Sequence, residues 1–332
     1  MMRVLVLSHN DVRAALPPGP CAEAMAAVLA EHARGRSFMP LRSVMMPPDA
    51  AGFMGLMPGW RGRQPGGAAV FALKAVCILP GNPARGLDAH QGLVTLFDGE
   101  TGRPSAILDA SAITEVRTAA VTAVATRVLS RPDARTLAIL GAGTQARAHL
   151  AALLPVREFE RVRVYAPTQA HARALVEQVG DAGAELSVAS SAQDALRDAD
   201  VVVTATSSRE PVLRRDWLKP GAHLNAVGAS TPRARELDTA TVAASALFCD
   251  SRESLRHEAG EFQRAVAEGL IAGVEHVRAE LGEVLAGTAP GRRDAAELTL
   301  FRSLGLAIED LAAAESAVAA ARAAGLGTEV EL

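Results

Sequence analysis

The chain has 332 residues, a formal net charge of −3, 49% hydrophobic, 21% charged and only 3% aromatic residues. That length allows two domains and a large core built from Ala, Val and Leu. The charge offers no broad attraction to nucleic acid or an anionic membrane, and so few aromatics argue against stacking on bases.

Read in chain order, Met1–Leu7 is too short an apolar run for a secretion signal, and polar Ser8-His9-Asn10-Asp11 follows it. No stretch of about 18 uncharged apolar residues occurs, so no membrane span is expected. Three dispersed cysteines, Cys21, Cys77 and Cys249, suggest thiols in a reducing compartment, and the expected location is cytoplasmic. Helices are expected over Asp11–Leu16 and Pro20–Arg34, then strands over Ala68–Leu79, Gly92–Asp98 and Pro104–Asp109, with a hairpin loop at Gly99–Gly102. These make an α+β piece. A helix over Ser111–Leu129, opened by a serine cap, leads out of it.

Thr136-Leu137-Ala138-Ile139-Leu140 then runs into Gly141-Ala142-Gly143-Thr144-Gln145-Ala146 and a helical pattern. Two glycines spaced G-x-G between strand and helix bring backbone N–H groups against a pyrophosphate. Ala146 takes the third position of that fingerprint, where helix packs on strand. In an Ala/Gly-rich chain the same spacing also arises as an ordinary turn. Its context favours the nucleotide reading: strands follow at Arg161–Tyr165, Ala184–Ala189, Asp200–Thr204, Ala222–Val227 and Ala246–Cys249, with helices at Gln169–Val179 and Ala192–Arg197. Alternation at this spacing implies a mostly parallel Rossmann-type sheet covered on both faces. Ala289–Asp294 reads as a polar surface loop, and Ser303–Ala324 as a long helix closed by Gly325-Leu326-Gly327 that packs on the first domain or a second subunit. The fold class is therefore α/β, with an α+β N-terminal domain (1–115 and 315–332) completed by the C-terminal helix and a dinucleotide domain over 116–314.

Cofactor preference can be read after the second strand of that sheet. A site for the 2′-hydroxyl of NAD places an acid there, whereas Tyr165-Ala166-Pro167-Thr168-Gln169-Ala170-His171-Ala172-Arg173 has none. Thr168, Gln169 and Arg173 instead suit a 2′-phosphate, so NADP is expected, with NAD as the alternative. Strand-end residues Thr204, Thr206, Val227, Gly228 and Ala229 are expected along the cofactor, with Gly141, Gly143, Thr144, Gln145 and Ala146.

Three cations stand in unusual settings: Arg42 among apolar residues, Lys74 inside the apolar strand Val70–Leu79, and Arg117 after Ile113-Thr114-Glu115-Val116. Pattern alone leaves two readings open: an active site, or an outward-facing Lys74 and an Arg117 paired with Glu115. His90 either orients a substrate and relays its proton or makes a structural loop hydrogen bond. No histidine cluster or H-E-x-x-H spacing occurs, so no metal is expected.

The chain resembles the ornithine cyclodeaminase/mu-crystallin family along its length. The resemblance rests on Gly52–Pro58, Pro80–Pro83, His90-Gln91-Gly92, Ile113–Ala120, Leu140–Ala146, Asn225–Ala229, Arg235–Asp238 and Phe301–Ala307. It implies a homodimer joined through the N-terminal halves and NAD(P)-dependent chemistry on small α-amino or α-imino acids. It also implies that Arg42, Lys74 and Arg117 line the pocket for substrate carboxylate and nicotinamide, with Arg117 and Thr118 beside the cofactor, His90 near the pocket and Ser303 helping to close it. Arg suits a carboxylate through its planar fork, and crowded cations push Lys74 to give up its proton. Lys74 is then the expected catalytic proton donor as well as a substrate ligand. Where the family's cyclodeaminases carry a catalytic Asp, this chain has Ser230. A hydroxyl is a poor base, so reduction of a carboxylate-bearing ketimine, such as Δ1-pyrroline-2-carboxylate, is expected ahead of ornithine cyclodeamination or alanine-type dehydrogenation, unless Glu258 or Glu261 takes over. A cofactor-binding protein of low turnover is the reading from another class.

Overall fold

The structure, a computed structural model, describes residues 3–63 and 67–332. Met1 and Met2, the start of the N-terminal apolar run, lie outside the described residues. Strand β1 (Arg3–Leu7) leads into helix α1 (His9–Ala15), which Ser8 and Asp11 cap reciprocally, and then into α2 (Pro18–Ala33). Six strands follow: β2 (Ser37–Phe38), β3 (Ser43–Met45), β4 (Phe53–Arg61), β5 (Val70–Ile78), β6 (His90–Asp98) and β7 (Pro104–Asp109). The β6–β7 turn closes where Asp98 accepts the Gly102 N–H at 2.9 Å, in the expected hairpin loop. Helix α3 (Ala110–Leu129) comes next. Its cap is Asp109, which accepts the Ala112 N–H at 2.7 Å, rather than Ser111, whose hydroxyl donates to the His90 carbonyl.

The second stretch runs β8 (Thr136–Leu140), α4 (Thr144–Leu153), β9 (Arg161–Tyr165), α5 (Gln169–Val179), β10 (Glu185–Val188), α6 (Ala192–Leu196) and β11 (Val201–Thr204). It continues through β12 (His223–Ala226), α7 (Thr239–Ala244), β13 (Ala246–Cys249), α8 (Arg252–Glu258), α9 (Gly260–Ala267), β14 (Val277–Glu280), α10 (Leu281–Leu285) and β15 (Thr299–Arg302). Helix α11 (Ala307–Ala324) and strand β16 (Thr328–Glu331) end the described chain.

By compactness the chain divides into Met1–Arg117 with Gly305–Leu332, and Thr118–Leu304. In the first unit one sheet runs β16-β1-β7-β6-β5-β4-β2, with β3 also on β4. Strands β4 to β7 are antiparallel, and β1 joins β7 in parallel. Alternation along β5 turns Ala72, Lys74 and Val76 to the buried face, while Phe71 stays 47% exposed. Phe38, Val44, Met45, Met46 and Leu93 also leave apolar surface exposed in this unit. Lys74 thus points inward, against the outward alternative.

The second unit is an all-parallel sheet, β10-β9-β8-β11-β12-β15-β13-β14. Its central strands β8, β11, β12 and β15 are buried at every residue, as a sheet covered on both faces requires.

Three expectations need correction. Residues 303–306 are not helical: β15 ends at Arg302, Gly305 takes φ +80°, and α11 begins only at Ala307. The expected domain boundary at 314/315 consequently falls inside α11, and the return to the first unit comes at Gly305. Arg292, placed in a surface loop, is a half-buried strut that donates to the Leu129 carbonyl at 2.7 Å and the Thr299 hydroxyl at 2.8 Å. Among the described residues no helix is long and apolar enough to cross a membrane.

Candidate active site

In the first unit β5, α3 and α11 bring a set of charges together below the sheet. The Lys74 ammonium lies 2.7 Å from an Asp310 oxygen and 3.4 Å from the Thr114 hydroxyl. Arg117 donates from Nε to the other Asp310 oxygen at 2.9 Å and from Nη1 to Glu309 at 2.8 Å. Arg42 donates to the Gly305 carbonyl at 2.9 Å. Lys74, Arg117, Glu309 and Asp310 are all buried. Arg117 therefore pairs with the α11 acids; Glu115 instead faces Arg13 at 3.6 Å. Placing Glu309 and Asp310 in the first turn of α11 also sets negative charge at the positive end of the helix dipole.

Burial, the largest influence, drives the Lys74 pKa down to about 8, although Asp310 opposes it and Arg117 adds to it. For Asp310 burial works the other way, but Arg117 and Lys74 outweigh it and hold the carboxyl below its ordinary value. Crowding by protein atoms, and then the Lys74 charge, lowers the pKa of His90, a residue that still keeps much of its surface at the start of β6. Lys74 and Arg117 thus share two buried carboxylates, with the Arg42 guanidinium on the Gly305 carbonyl nearby. A buried ammonium that can yield its proton near neutrality, beside two guanidinium groups, can hold a small carboxylate and exchange a proton with its neighbour atom.

In the second unit the turn after β8 has the features a dinucleotide requires. Gly141 takes φ +123°, and a Cβ there would stand 2.4 Å from the Ala205 carbonyl oxygen, so only glycine fits. Gly143 and Thr144 are exposed, and space lies open where a Gly143 side chain would be. No side chain caps α4, which leaves its first N–H groups for an anion. Ala146 is fully buried in the core under the sheet, and Gln145 is half-buried. These residues fit a pyrophosphate. After β9, Thr168 and Arg173 are both exposed at the start of α5, and Arg173 bonds Gln169 at 3.1 Å.

The strand-end residues divide. Thr206 and Gly228 keep partial exposure, whereas Thr118, Thr204, Val227, Ala229 and Ser303 are buried. The Thr204 hydroxyl is spent on Glu236 at 2.9 Å, so it supports the loop rather than facing a ligand. Ser230 is exposed. Glu261 cannot replace a catalytic Asp: it is buried against Arg302, whose Nε lies 2.5 Å from it and whose Nη1 donates to the Ala226 and Ser303 carbonyls.

Sequence reasoning missed Glu309, Asp310 and Glu236. The first two had a signal, two adjacent acids in the otherwise apolar Leu306–Ala314 run.

The family model for "Ornithine cyclodeaminase/mu-crystallin family" matches residues 2–323. The chain belongs to the ornithine cyclodeaminase/mu-crystallin family. Within this ornithine cyclodeaminase/mu-crystallin family it is 38% identical to the ketimine reductase mu-crystallin of Mus musculus, over 89% of each chain. The Δ1-pyrroline-2-carboxylate reductase of Thermococcus litoralis, solved with NADH and L-proline, superposes with TM-score 0.93 at 36% identity, covering 98% of this chain and 100% of that one. An archaeal alanine dehydrogenase dimer with bound NAD gives 0.92 at 34% identity, covering 100% of both.

Proposed function

We propose that this member of the family is an NAD(P)H-dependent oxidoreductase that reduces the C=N bond of a small carboxylate-bearing imine, of the Δ1-pyrroline-2-carboxylate type, to an amino acid. The observation that carries the reading is Lys74 buried against Asp310 beside Arg117, a proton donor set among anion-binding groups. Arg42 and Arg117 hold the substrate carboxylate by charge-assisted hydrogen bonds. Lys74 gives its proton to the imine nitrogen, Asp310 holds the ammonium in place, and His90 borders the same charges. A bound nicotinamide supplies the hydride to the imine carbon. With Ser230 in place of an acid, the chain lacks there the carboxylate base that cyclodeamination needs.

The dinucleotide rests on Gly141 to Thr144, with Thr168 and Arg173 at the adenosine end, and the absence of an acid after β9 supports NADPH over NADH. Exposed Phe71, Leu93, Met45 and Met46 on the first unit suit burial in a homodimer. Three free thiols, with no apolar spanning helix among the described residues, accord with a cytoplasmic enzyme. The test is direct: with cyclic imino acid, NADPH should be consumed faster than NADH, and L-ornithine should release no ammonia. Ammonia release without net nucleotide turnover would replace the reductase with a cyclodeaminase.

A further inference from the structure

We propose that Glu236 is the positioning residue for the nicotinamide end of the dinucleotide, an inference that rests on the second unit binding NAD(P)H. Glu236 is fully buried, and its carboxylate is satisfied by groups from two separate strand ends. One oxygen accepts the Thr206 N–H at 2.7 Å; the other accepts the Gly228 N–H at 2.7 Å and the Thr204 hydroxyl at 2.9 Å. Its own backbone is fixed as well, since its carbonyl accepts the N–H groups of Val212 and Leu213. One carboxylate therefore sets the spacing between the loop after β11 and the loop after β12.

That spacing is tight. A Cβ at Gly228 would stand 2.1 Å from the Thr206 carbonyl oxygen and 2.6 Å from the Glu236 carboxylate. In a parallel sheet the ligand lies across the carboxyl ends of the strands, so these two loops form its floor beyond the Gly141 turn. Burying a carboxylate is costly unless every oxygen is hydrogen-bonded. Here the three donors satisfy it, and both backbone donors belong to the loops that must be held.

Glutamine cannot substitute in this setting. Whichever way its amide is turned, the NH2 group faces a backbone N–H, of Thr206 or of Gly228, and one loop is released. The test compares two ligands by calorimetry: NADPH, and 2′-phospho-ADP-ribose, which lacks the nicotinamide. In Glu236→Gln, NADPH binding should weaken about tenfold or more, as loss of a charge-assisted bond implies. Binding of 2′-phospho-ADP-ribose should stay within about twofold, because the Gly141 turn is untouched. Thr204→Val removes only the hydroxyl and should show the same selectivity to a smaller degree; it serves if the glutamine variant fails to fold. Equal weakening of both ligands, or of neither, overturns the positioning role. Wild-type protein that binds neither ligand instead overturns the cofactor reading beneath it.

Discussion

Each unit buries an arginine among carboxylates, and the two clusters behave differently. In the second unit Arg302 meets Glu261 and two backbone carbonyls, which ties β15 to the end of β12. In the first unit Lys74 and Arg117 share Glu309 and Asp310, with Arg42 on the Gly305 carbonyl, and burial draws the Lys74 pKa down to about 8. The lesson is that burial of a cation does not mark a binding site. A better sign is a buried group able to change protonation state near neutrality.

The largest effect should come from Lys74→Met. Imine reduction should fall by about 10²–10⁴-fold, the usual contribution of a positioned acid, while NADPH titration still shows binding. Full turnover would place the proton donor elsewhere. Asp310→Asn should come next. It leaves Lys74 and Arg117 short of a buried counter-charge, which costs about 3–5 kcal/mol and is read from the denaturant midpoint. Because Asp310 raises the Lys74 pKa, the same variant should move the alkaline limb of the pH–rate profile to lower pH. In the wild type, reduction should decline as pH rises through about 8, where Lys74 loses its proton, and amino-acid oxidation should rise over the same range. The stability sign is opposite to that of an ordinary salt bridge. Between about 8 and 10.5 the unfolded chain keeps a proton that the folded one has shed, so the Lys74 contribution grows with pH.

Glu261→Gln sharpens the contrast from the other side. It should cost about 3–5 kcal/mol in stability yet leave turnover per folded molecule within about threefold, since Arg302 serves as a strut. A collapse of turnover with stability intact would merge the two clusters into one function. The smallest effect should be at the exposed Arg173: Arg173→Ala should reduce the preference for NADPH over NADH by about 1 kcal/mol, or roughly fivefold, measured as the ratio of kcat/KM values.

Legibility followed the same division. The parallel sheet was readable because strands covered on both faces are continuous apolar runs, as in Leu137–Leu140 and Val201–Val203. Strand β4 was not, since Gly55, Pro58 and Gly59 interrupt its alternation and resemble turn chemistry. Four-residue β15 is too short to show a period, so the pattern does not predict it, and the helix after it reads from Ser303 rather than from Ala307. Lys74 and Arg117 stood out as charges in apolar segments. Glu309 and Asp310 interrupt an apolar run as well, but nothing local ties them to those cations, because the Arg117–Asp310 contact joins residues 193 positions apart.

That separation bears on how the protein is made. A ribosome delivers Lys74 and Arg117 well before Glu309 and Asp310, and the whole of Thr118–Leu304 is synthesised in between. Until α11 emerges, the nascent first unit lacks both the helix that covers its sheet and the anions that offset its interior cations. The second unit, Thr118–Leu304, can therefore complete its sheet on the growing chain, whereas the buried Lys74–Asp310 pair of the first unit forms only after α11 has been made.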